Sequence, residues 1–583
     1  MKSSSIALLI LSIFTSCDKT PNHHLIITNV NIVDVKTGEI LLNRTVAIDN
    51  TLITAIYEKD VAVSDSTIVI NGSSKFLIPG LWDMHAHYYD NHLDSDPLLI
   101  ANGVVGVREM WGNMSVINEV RRKTLSGEII APDIYTSGTL IDGSPQTWPG
   151  SAVVSSPEEV KAVVNQQIAD GVDFLKIYNH LTFECFMALA DLVNSKNIPF
   201  AGHIPYEISI YQAIEAGMAS SEHLIGFLLA CSSKEDSLRT LPINERLISL
   251  INTFSENKFD SLCEVLAQSE MWLCPTLIVN QALCYLNDTS FRNDERLAYL
   301  PEYITFDWDP ANNFLLKDEE EEDYQLWRNR FHFELELIGR MNEKGVKILA
   351  GTDYPNPYCF PGFSLHDELS LMVAGGMSEL EALNTATINA AVFMNKDDEF
   401  GTVEVGKLAS LVLLNNNPVD NIENTKSIET VILRGKVFDR TTLDEMLDLA
   451  KINAALTPLS KWLRIKILTS GIEKALDSLD ILISTESRQY KLSEYDITML
   501  GYDYLYGGET EIAVNIFEKN IDLFPESSNA YDSYAESLYK NGQYGLAIEN
   551  YNKSLEIDPG NSNARMMLDS IENTKTKLQI QTK

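Results

Sequence analysis

The sequence predicts an α/β protein: a (β/α)8 TIM-like barrel with a small composite β-sandwich domain and an all-α repeat region at the C-terminus. Three observations support this fold class. From residue 76 onward, short apolar strands alternate with amphipathic helical stretches. On both sides of that stretch the chain forms short runs of alternating polar and apolar residues. The last section is helical and repeats at a fixed period.

The first 17 residues have the layout of a bacterial export signal. Lys2 precedes an apolar run at residues 6–14 that is too short to span a bilayer, and the small residues Thr15 and Ser16 lead into Cys17. We therefore expect residues 1–17 to be a lipoprotein signal peptide, with Cys17 carrying the lipid. The protein would then be an exported bacterial lipoprotein at the periplasmic face or the outer membrane. The alternative is a plain signal peptide with an incidental cysteine.

Two separate segments are expected to form one small β domain. Residues 25–78 contain short strand-like runs separated by turn residues such as Asn71-Gly72, the pattern of a small antiparallel sheet. Residues 400–440 return to the same pattern, with apolar runs at 411–414 and 430–433. We expect the second segment to complete the sheet of the first as a composite β-sandwich domain.

Residues 79–399 carry the pattern of the barrel. Eight strand candidates centre on residues 82–85, 104–107, 134–136, 174–177, 199–203, 220–223, 272–276 and 348–353. Amphipathic stretches separate them, as expected for βαβ units. Eight parallel strands with helices between them close into a barrel whose chemistry takes place at the carboxyl ends of the strands.

Residues 456–575 are predicted to be helical and repetitive. Pro525 and Pro559 stand 34 residues apart, and each follows a block of similar sequence. This period is similar to that of tetratricopeptide repeats. About two units are clear, which is too few for a stable free array, so we expect the repeats to dock on the barrel. They would either bind a peptide or protein partner, or pack as a lid or as the contact of a homo-oligomer.

Charge and cysteine content exclude two classes of function. The chain has 82 Asp and Glu against 45 Lys and Arg, a formal net charge of −37. Such a field repels phosphate backbones and anionic lipids, so no nucleic-acid partner is expected, and the membrane is reached only through the lipid anchor. None of the cysteines forms a CxxC pair, which argues against a structural zinc site of the cysteine type. They are expected to be buried, although an exported chain could pair one or two.

Six residues at strand ends are candidates for a metal centre. His85 and His87 are two apart at the end of the first barrel strand, so both point from one face into the barrel mouth, where imidazoles could bind zinc. Such a pair alone could equally pack or lie exposed. The stronger signal is that further residues of ligand type end strands four, five, six and eight: Lys176, His203, His223 and Asp353.

The segment around the first strand resembles a signature of the amidohydrolase superfamily. It reads Ile78-Pro79-Gly80-Leu81-Trp82-Asp83-Met84-His85-Ala86-His87. The later segments Ser221-Glu222-His223 and Gly351-Thr352-Asp353 resemble the strand ends of the same superfamily. The resemblance runs from about residue 25 to 440. It is greatest to the branch of imidazolonepropionase-like proteins and prolidase-type dipeptidases.

The resemblance implies a centre of two divalent metal ions, with zinc as the expected metal. His85, His87 and Asp353 would bind the first metal, and His203 and His223 the second. Lys176 would bridge the two after carboxylation by carbon dioxide, which converts a repelling ammonium into an anion with two acceptor oxygens. The alternative for Lys176 is an unmodified ammonium paired with a carboxylate.

The resemblance also implies a reaction. A hydroxide bridging the two metals would attack the carbonyl carbon, and Asp353 would take its proton and pass it to the leaving amine. The expected enzyme cleaves a C–N amide bond in a small-molecule or peptide-like substrate, as a dipeptidase does. A lactone or phosphotriester hydrolase uses the same centre and stays open. A third alternative is an interaction protein with a non-catalytic barrel, in which the repeats bind the partner.

Four further residues are candidates for contact with the substrate. Tyr178 and His180 follow Lys176, and Tyr206 follows the strand-five histidine. His366 opens the last barrel helix, where it would either face the site or cap the helix. No arginine at the strand ends marks a carboxylate-binding pocket, so the sequence leaves the substrate itself open.

Overall fold

The computed structural model describes residues 23–59, 61, 63–88, 95–148, 150–241, 243–310, 319–485, 490–561, 563–568 and 570–571 of the 583-residue chain. The predicted lipoprotein signal peptide at residues 1–17, with Cys17, lies outside these residues. Within the described ranges, no helix is both long enough and apolar enough to cross a membrane. The six cysteines in these ranges are all buried and free, so none of them forms a disulfide.

The first described residues form five strands of a mixed sheet. They are β1 (Leu25–Val33), β2 (Ile40–Asp49), β3 (Leu52–Tyr57), β4 (Ile68–Asn71) and β5 (Phe76–Pro79). β1 pairs antiparallel with β2 but parallel with both β4 and β5. The prediction of a purely antiparallel unit is therefore wrong. Alternating polarity indicates that a segment is a strand, but it does not indicate the direction of its neighbour.

Among the described residues, the barrel contains nine short strands, seven of which are buried along their whole length. They are β6 (Leu81–Ala86), β7 (Val104–Glu109), β8 (Asp133–Thr136), β9 (Ile141–Asp142), β10 (Ala152–Val153), β11 (Leu175–Ile177), β12 (Phe200–Gly202), β13 (Ser220–Glu222) and β14 (Trp272–Cys274). β6, β7 and β8 pair in parallel, and so do β11, β12, β13 and β14. The two groups meet where the carbonyl of Thr136 accepts a bond from the amide of Asp173 at 2.9 Å.

The eighth barrel position is filled by residues 348–354, which form isolated bridges rather than a regular strand. The amide of Leu349 donates a hydrogen bond to the carbonyl of Leu273 in β14, and the amide of Met84 in β6 donates one to the carbonyl of Ala350. The chain therefore closes the ring between β14 and β6, as expected of a TIM-like barrel. Residues 348–353 do not form a continuous strand: Asp353 adopts a left-handed conformation with φ of 59°, and the bridge between Tyr354 and Ala86 follows it.

Among the described residues, fifteen α-helices lie between and after these strands. They are α1 (Ser95–Ala101), α2 (Met114–Ser126), α3 (Pro157–Ala169), α4 (Phe183–Lys196), α5 (Ile210–Glu215), α6 (Phe227–Ala230), α7 (Glu235–Arg239), α8 (Ile243–Asn252), α9 (Glu256–Gln268), α10 (Leu277–Tyr285), α11 (Glu302–Trp308), α12 (Glu321–Glu343), α13 (Phe363–Ala374), α14 (Glu379–Thr385) and α15 (Ile388–Phe393). Most of their apolar faces pack into one large core against the strands, and residues of α10, α11 and α12 form a smaller separate cluster. In α4, for example, Phe186, Leu189 and Val193 share one buried face.

The chain returns to the first sheet after the barrel. It forms β15 (Leu411–Leu414), β16 (Ile428–Leu433) and β17 (Lys436–Asp439). β15 pairs antiparallel with β5, so strands from both sides of the barrel form one eight-stranded sheet. This sheet has its own small apolar cluster, which includes Leu25, Val46 and Ile432. Arg434 forms an ion pair with Asp133 at the start of β8, which ties the sheet to the barrel.

The C-terminal section is helical. It contains α16 (Arg440–Ala455), β18 (Thr457–Pro458), α17 (Leu459–Ser470), α18 (Ile472–Ser484), β19 (Tyr490–Lys491), α19 (Glu494–Tyr506), α20 (Thr510–Leu523), α21 (Ser528–Lys540) and α22 (Tyr544–Ile557). Helix α16 packs on α1 of the barrel, whereas α17 to α22 pack pairwise around a second core that includes Leu463, Phe517 and Tyr551. We call residues 456–571 the helical tail. It touches the barrel where α21 contacts α2.

Candidate metal centre

The structure brings the six predicted ligand residues together at one rim of the barrel. They stand at five positions of the ring: His85 and His87 at the end of β6, Lys176 in β11, His203 after β12, His223 after β13 and Asp353 at the eighth position. Because parallel strands end at the same face, these side chains converge. Lys176 is only 1% exposed, and His203 and Asp353 are each 8% exposed.

Asp353 lies at the middle of the group. Its Oδ1 atom is 3.0 Å from Nε2 of His87 and 3.3 Å from Nε2 of His85. Its Oδ2 atom is 3.8 Å from Nε2 of His223. The ring of His223 in turn lies 4.6 Å from that of His85 and 4.9 Å from that of His203, measured between centroids. One carboxylate therefore faces both halves of the predicted centre.

A buried carboxylate sets the orientation of His85. Nδ1 of His85 lies 2.8 Å from Oε2 of Glu222, and the same oxygen accepts a bond from Nη2 of Arg108 at 2.7 Å. An ionised carboxylate only accepts, so Nδ1 of His85 carries the proton and Nε2 offers a lone pair toward Asp353. Sequence reasoning missed Glu222 and Arg108. The signal for them was the presence of charged residues inside strands that are otherwise buried.

The other two imidazoles are held by neutral groups. Nδ1 of His203 lies 2.9 Å from Oδ1 of Asn179, and Nδ1 of His223 lies 2.6 Å from Oγ1 of Thr276. Both Nε2 atoms are left for the centre. Burial lowers the pKa of His203 well below its ordinary value and lowers the pKa of His223 to about 3. Both rings are therefore uncharged at neutral pH, which is the form that binds a metal.

Asp83 fixes the backbone on which Asp353 stands. Its carboxylate accepts bonds from Oγ1 of Thr352 at 2.6 Å and from the amide of Thr352 at 3.0 Å. The amide of Asp353 donates to the carbonyl of His85 at 2.7 Å. Burial favours the protonated form of Asp353, but attraction to the His85 and His223 rings in their protonated forms outweighs it and holds the pKa of Asp353 well below the ordinary value. Asp353 is therefore ionised at neutral pH.

The chemistry of these atoms fits a cation. Nε2 of His85 and Oδ1 of Asp353 are both buried, and neither has a hydrogen-bonding partner among the described residues. With Nδ1 protonated, they are two acceptors facing each other, an arrangement that a cation between them would stabilise. His85, His87 and Asp353 also lie close enough together to share one ion. The first predicted metal site is thus physically consistent.

A second close group consists of His85, Glu222 and Cys274. Its atoms are less suited to a metal, because Glu222 is already bonded to His85 and Arg108. Burial also raises the pKa of the Cys274 thiol well above its ordinary value, which keeps the sulfur protonated. We interpret this group as the support of His85.

Lys176 is buried beside the centre. Burial lowers its pKa to about 8, although Glu222 and Asp353 oppose this change. Within the described part of the chain, no ion pair includes Lys176, so the carboxylate pairing expected of an unmodified ammonium is not seen. A side chain that is readily uncharged can act as a nucleophile toward carbon dioxide.

Three of the four predicted substrate residues lie on the His203 side of the rim. The ring of Tyr178 stacks on His203 with centroids 3.9 Å apart, and its hydroxyl accepts a bond from Nε1 of Trp148 at 3.0 Å. His180 and Tyr206 meet edge to face at 5.2 Å, and Tyr206 is 42% exposed. These rings form a wall beside the centre. Trp148 belongs to this wall, and no spacing in the sequence marked it.

His366 is not part of the site. Its Nδ1 atom lies 2.9 Å from Oγ1 of Thr425 and its Nε2 atom 3.0 Å from the carbonyl of Asn102, and the residue is only 1% exposed. Asn102 stands just before β7, at the end of the barrel opposite the metal ligands. The hypothesis that His366 contacts the substrate is therefore wrong. Both of its nitrogens are used to join α13 to neighbouring elements.

Comparison with known proteins agrees with this geometry. A model of the amidohydrolase family matches residues 76–438. The imidazolonepropionase of Symbiobacterium thermophilum is 41% identical over 76 residues, which is 13% of this chain and 18% of that protein. The chain spans about a quarter or less of the length of the curated relatives it matches. The helical tail lies outside the family match.

Solved structures with low sequence identity share the fold. Bottromycin amidohydrolase has a TM-score of 0.61 and 22% identity, with 74% of this chain and 90% of that chain covered. A Xaa-Pro dipeptidase with methionine bound in its active site has a TM-score of 0.53 and 20% identity, with 71% and 99% covered. These likenesses establish the mixed α/β fold of the barrel region.

Proposed function

Because the chain belongs to the amidohydrolase family, we propose that it is a metal-dependent hydrolase that cleaves a C–N amide bond in a peptide-like substrate. The observation that carries the proposal is the approach of His85 and His87 to one buried oxygen of Asp353, at 3.3 and 3.0 Å. Bottromycin amidohydrolase and the Xaa-Pro dipeptidase act on C–N bonds, as their names state, which supports an amide as the substrate bond.

The proposed centre contains two divalent metal ions. His85, His87 and Asp353 would hold the first, His203 and His223 the second, and Lys176, carboxylated on Nζ, would bridge them. Four imidazoles with oxygen ligands favour zinc. When bound, the metals would polarise the scissile carbonyl and lower the pKa of water so that hydroxide is available at neutral pH.

Asp353 has the position of the proton carrier. It is ionised, and its two oxygens face different halves of the centre, so it can accept a hydrogen bond from the attacking water and orient it. The same carboxylate would take the proton and deliver it to the leaving nitrogen. An amine is a poor leaving group without that proton, so this step matters more for an amide than for an ester or a lactone.

The remaining residues of the site hold these groups in place. Glu222 keeps His85 in one tautomer, and Arg108 balances the buried charge of Glu222. Tyr178 covers one side of His203 and excludes water from it. The ring of Tyr178, together with Trp148, also offers an apolar wall for a substrate side chain.

The proposal extends to the cellular location. We propose that Cys17 carries the lipid of an exported lipoprotein and that the barrel works on the outer side of the cytoplasmic membrane. Mass spectrometry of the mature N-terminus tests this in cells that produce the wild type or Cys17→Ala. An acylated first residue at Cys17 supports the proposal, and an unmodified N-terminus elsewhere contradicts it.

The central experiment is a metal and activity measurement on protein purified without chelator. We expect about two equivalents of divalent metal and hydrolysis of some members of a dipeptide and N-acyl amino acid library. His87→Ala should lose metal and activity, whereas His332→Ala, a matched change of an exposed histidine away from the centre, should keep both. A wild-type protein with well under one equivalent contradicts the proposal. Hydrolysis of lactones or phosphotriesters alone would replace the amide as substrate bond.

A further inference from the structure

The hydroxyl of Tyr178 has a proton that no residue in the described part of the chain accepts. The indole of Trp148 donates from Nε1 to this hydroxyl at 3.0 Å, and Tyr178 has no further hydrogen bond among these residues. An indole N–H only donates, so the phenol is the acceptor of this bond and keeps its own proton for another partner. Both side chains are partly exposed. A molecule bound at the rim can therefore accept the proton of Tyr178.

The ring of Tyr178 lies over one half of the candidate metal centre. It stacks on the ring of His203, with centroids 3.9 Å apart and an angle of 28° between the planes. Nδ1 of His203 faces Asn179, so its Nε2 is the nitrogen left for the centre. Nζ of Lys176 lies 6.0 Å from the centroid of the phenol ring. Tyr178 is thus beside the half of the centre that His203 and His223 would hold, whose metal would polarise the scissile carbonyl.

The electrostatic effects on Tyr178 indicate that its hydroxyl is on the side of Asp353. Burial raises the pKa of this hydroxyl, the bond from Trp148 lowers it, and the negative charge of Asp353 raises it again, more than that of Asp142 does. A charge acts more strongly at short distance. Asp353 lies at the middle of the candidate centre, whereas Asp142 ends β9. The hydroxyl is therefore close to the place where the substrate carbonyl would lie.

Asp142 holds the two segments that carry Tyr178 and Trp148. Its carboxylate accepts bonds from the amide of His180 at 2.7 Å and from the amide of Thr147 at 2.8 Å. The first amide is two residues beyond Tyr178, and the second belongs to the neighbour of Trp148. Asp142 itself is fully buried. The phenol is therefore held in place before a substrate arrives, which is the condition under which a hydrogen-bond donor lowers a reaction barrier most.

The proposed metal ligands contain no hydrogen-bond donor for the substrate oxygen. Asp353 is ionised and only accepts, and the Nε2 atoms of His203 and His223 offer lone pairs. When water adds to an amide carbonyl, its oxygen gains a full negative charge. A donor aimed at this oxygen binds it more strongly than the uncharged carbonyl oxygen of the substrate, and so favours the transition state. Tyr178 can supply the donor that the ligands lack.

We propose that the hydroxyl of Tyr178 donates a hydrogen bond to the substrate oxygen that becomes negative during hydrolysis, and that Trp148 holds the hydroxyl in this orientation. Tyr178 is then a catalytic residue and Trp148 a positioning residue. The phenol keeps its proton throughout: the hydrogen bond shortens as C=O becomes C–O⁻ and lengthens again when the amine leaves and the carbonyl re-forms. This role rests on the proposed hydrolase function, because only that reaction produces such an oxygen.

Steady-state kinetics on a substrate from the dipeptide and N-acyl amino acid library test the catalytic role. Tyr178→Phe removes the hydroxyl and keeps the ring that stacks on His203. We expect kcat to fall at least about tenfold and KM to change less than about twofold, because the bond forms mainly in the transition state. Tyr135→Phe is the matched control, since Tyr135 also stacks on an aromatic ring, that of Phe174, but lies beside Asp133 at the start of β8. It should keep the wild-type kcat.

A binding measurement provides a readout that does not depend on turnover. Methylphosphonate is a small tetrahedral anion whose oxygens resemble those of the hydrated amide, and calorimetry measures its affinity for the metal-loaded, full-length protein. Tyr178→Phe should bind it about tenfold more weakly than the wild type, whereas Tyr135→Phe should bind it equally well. Metal content should be the same in all three proteins, because the phenol is not a ligand. Equal affinities of the wild type and Tyr178→Phe overturn the proposal.

Trp148→Phe tests the positioning role, because it keeps an aromatic ring but removes the indole N–H. It should lower kcat about threefold in the wild type and not further in Tyr178→Phe. An equal loss in both backgrounds overturns the role of Trp148. If Tyr178→Phe loses metal, Trp148→Phe decides alone, and an unchanged kcat overturns the proposal.

The outcomes also separate this proposal from the hydrolase function. A wild type that holds metal and hydrolyses amides, with an equally active Tyr178→Phe, overturns the role of Tyr178 and leaves the hydrolase function standing. A wild type without metal and without hydrolysis overturns both.

Discussion

Nδ1 of His85 lies 2.8 Å from Oε2 of Glu222, so the second ring nitrogen of His85 is the one that faces Asp353. Both side chains are fully buried, and Arg108 binds the same carboxylate. Burial favours the protonated form of Glu222, but Arg108 and His85 outweigh it and lower its pKa, so the acceptor stays ionised. Glu222 is therefore a positioning residue for His85, the proposed metal ligand.

We expect Glu222→Gln to reduce metal affinity about 10- to 100-fold, because the ring of His85 loses its charged acceptor. Competition with a chromophoric chelator measures this. Glu334→Gln is the matched control, since it also breaks a buried glutamate–arginine pair, with Arg330, but far from the centre. Similar affinities in the two variants would show that Glu222 does not position His85.

Asp353→Asn keeps the shape of the side chain but removes its charge and its capacity to carry a proton. We expect kcat on a substrate from the library screen to fall by at least about 100-fold. Asp367→Asn, on the outer helix α13, changes an aspartate that pairs with Arg296 and Lys426 and should keep its activity. A variant at Asp353 with more than about a tenth of the wild-type kcat would remove it from the proton pathway.

Carboxylation of Lys176 can be tested by isotope labelling. After incubation with ¹³C-bicarbonate, the wild type should show a new carbonyl resonance that is absent from Lys176→Met, and the variant should bind less metal because the bridge is lost. Lys407→Met is the control, because Lys407 is also buried but lies away from the centre. If the labelled resonance is missing in the wild type, Lys176 is not the bridging ligand.

The candidate ligands at the strand ends could be predicted from the sequence, because the geometry of a strand is local. The alternation of His85 and His87 fixes a common face without any knowledge of the fold, and parallel strands then bring their carboxyl ends to one rim. Glu222 and Arg108 were missed because a charged residue inside a buried strand indicates that it has a partner but not which residue the partner is. Their pairing joins β13 to β7, and that contact follows only from the closed barrel.

The direction in which strands pair and the helices through which the tail contacts the barrel also depend on residues that are distant in sequence. The parallel contacts of β1 depend on how the chain crosses the sheet, which period-two alternation does not encode. The repeat period predicted the helices of the tail, and the small number of repeats predicted that the tail docks on the barrel. Which helices make the contact, α21 and α2, follows only from the whole molecule. His366 was ambiguous because the first turn of a helix can face either end of the barrel.

Asp532 predicts a pH dependence of stability. Its pKa is raised from 3.8 to about 7 by burial, with an additional contribution from Glu536, while Tyr502 and Tyr551 also face it. The folded protein therefore holds this proton more tightly than the unfolded chain. The resulting stability is fully present below about pH 4 and is lost as pH rises through about 7.

Asp532→Asn does not titrate, so the Tm of the variant relative to the wild type should rise steadily between about pH 4 and pH 8. Differential scanning fluorimetry measures this difference in Tm. Asp522→Asn, at an exposed position, should show no such trend. A difference in Tm for Asp532→Asn that does not change with pH would mean that Asp532 is charged throughout this range.

The partners of the imidazoles also imply unequal occupancy of the two halves of the centre. A carboxylate holds His85, whereas an amide holds His203 and a hydroxyl holds His223. A charged acceptor makes its imidazole the stronger electron donor. Loading should therefore proceed stepwise, and gradual chelation should yield a stable species with one ion bound to His85, His87 and Asp353. With the proposed two-metal centre, the protein would have a half-loaded state, whose abundance would be set by the free metal concentration of its compartment.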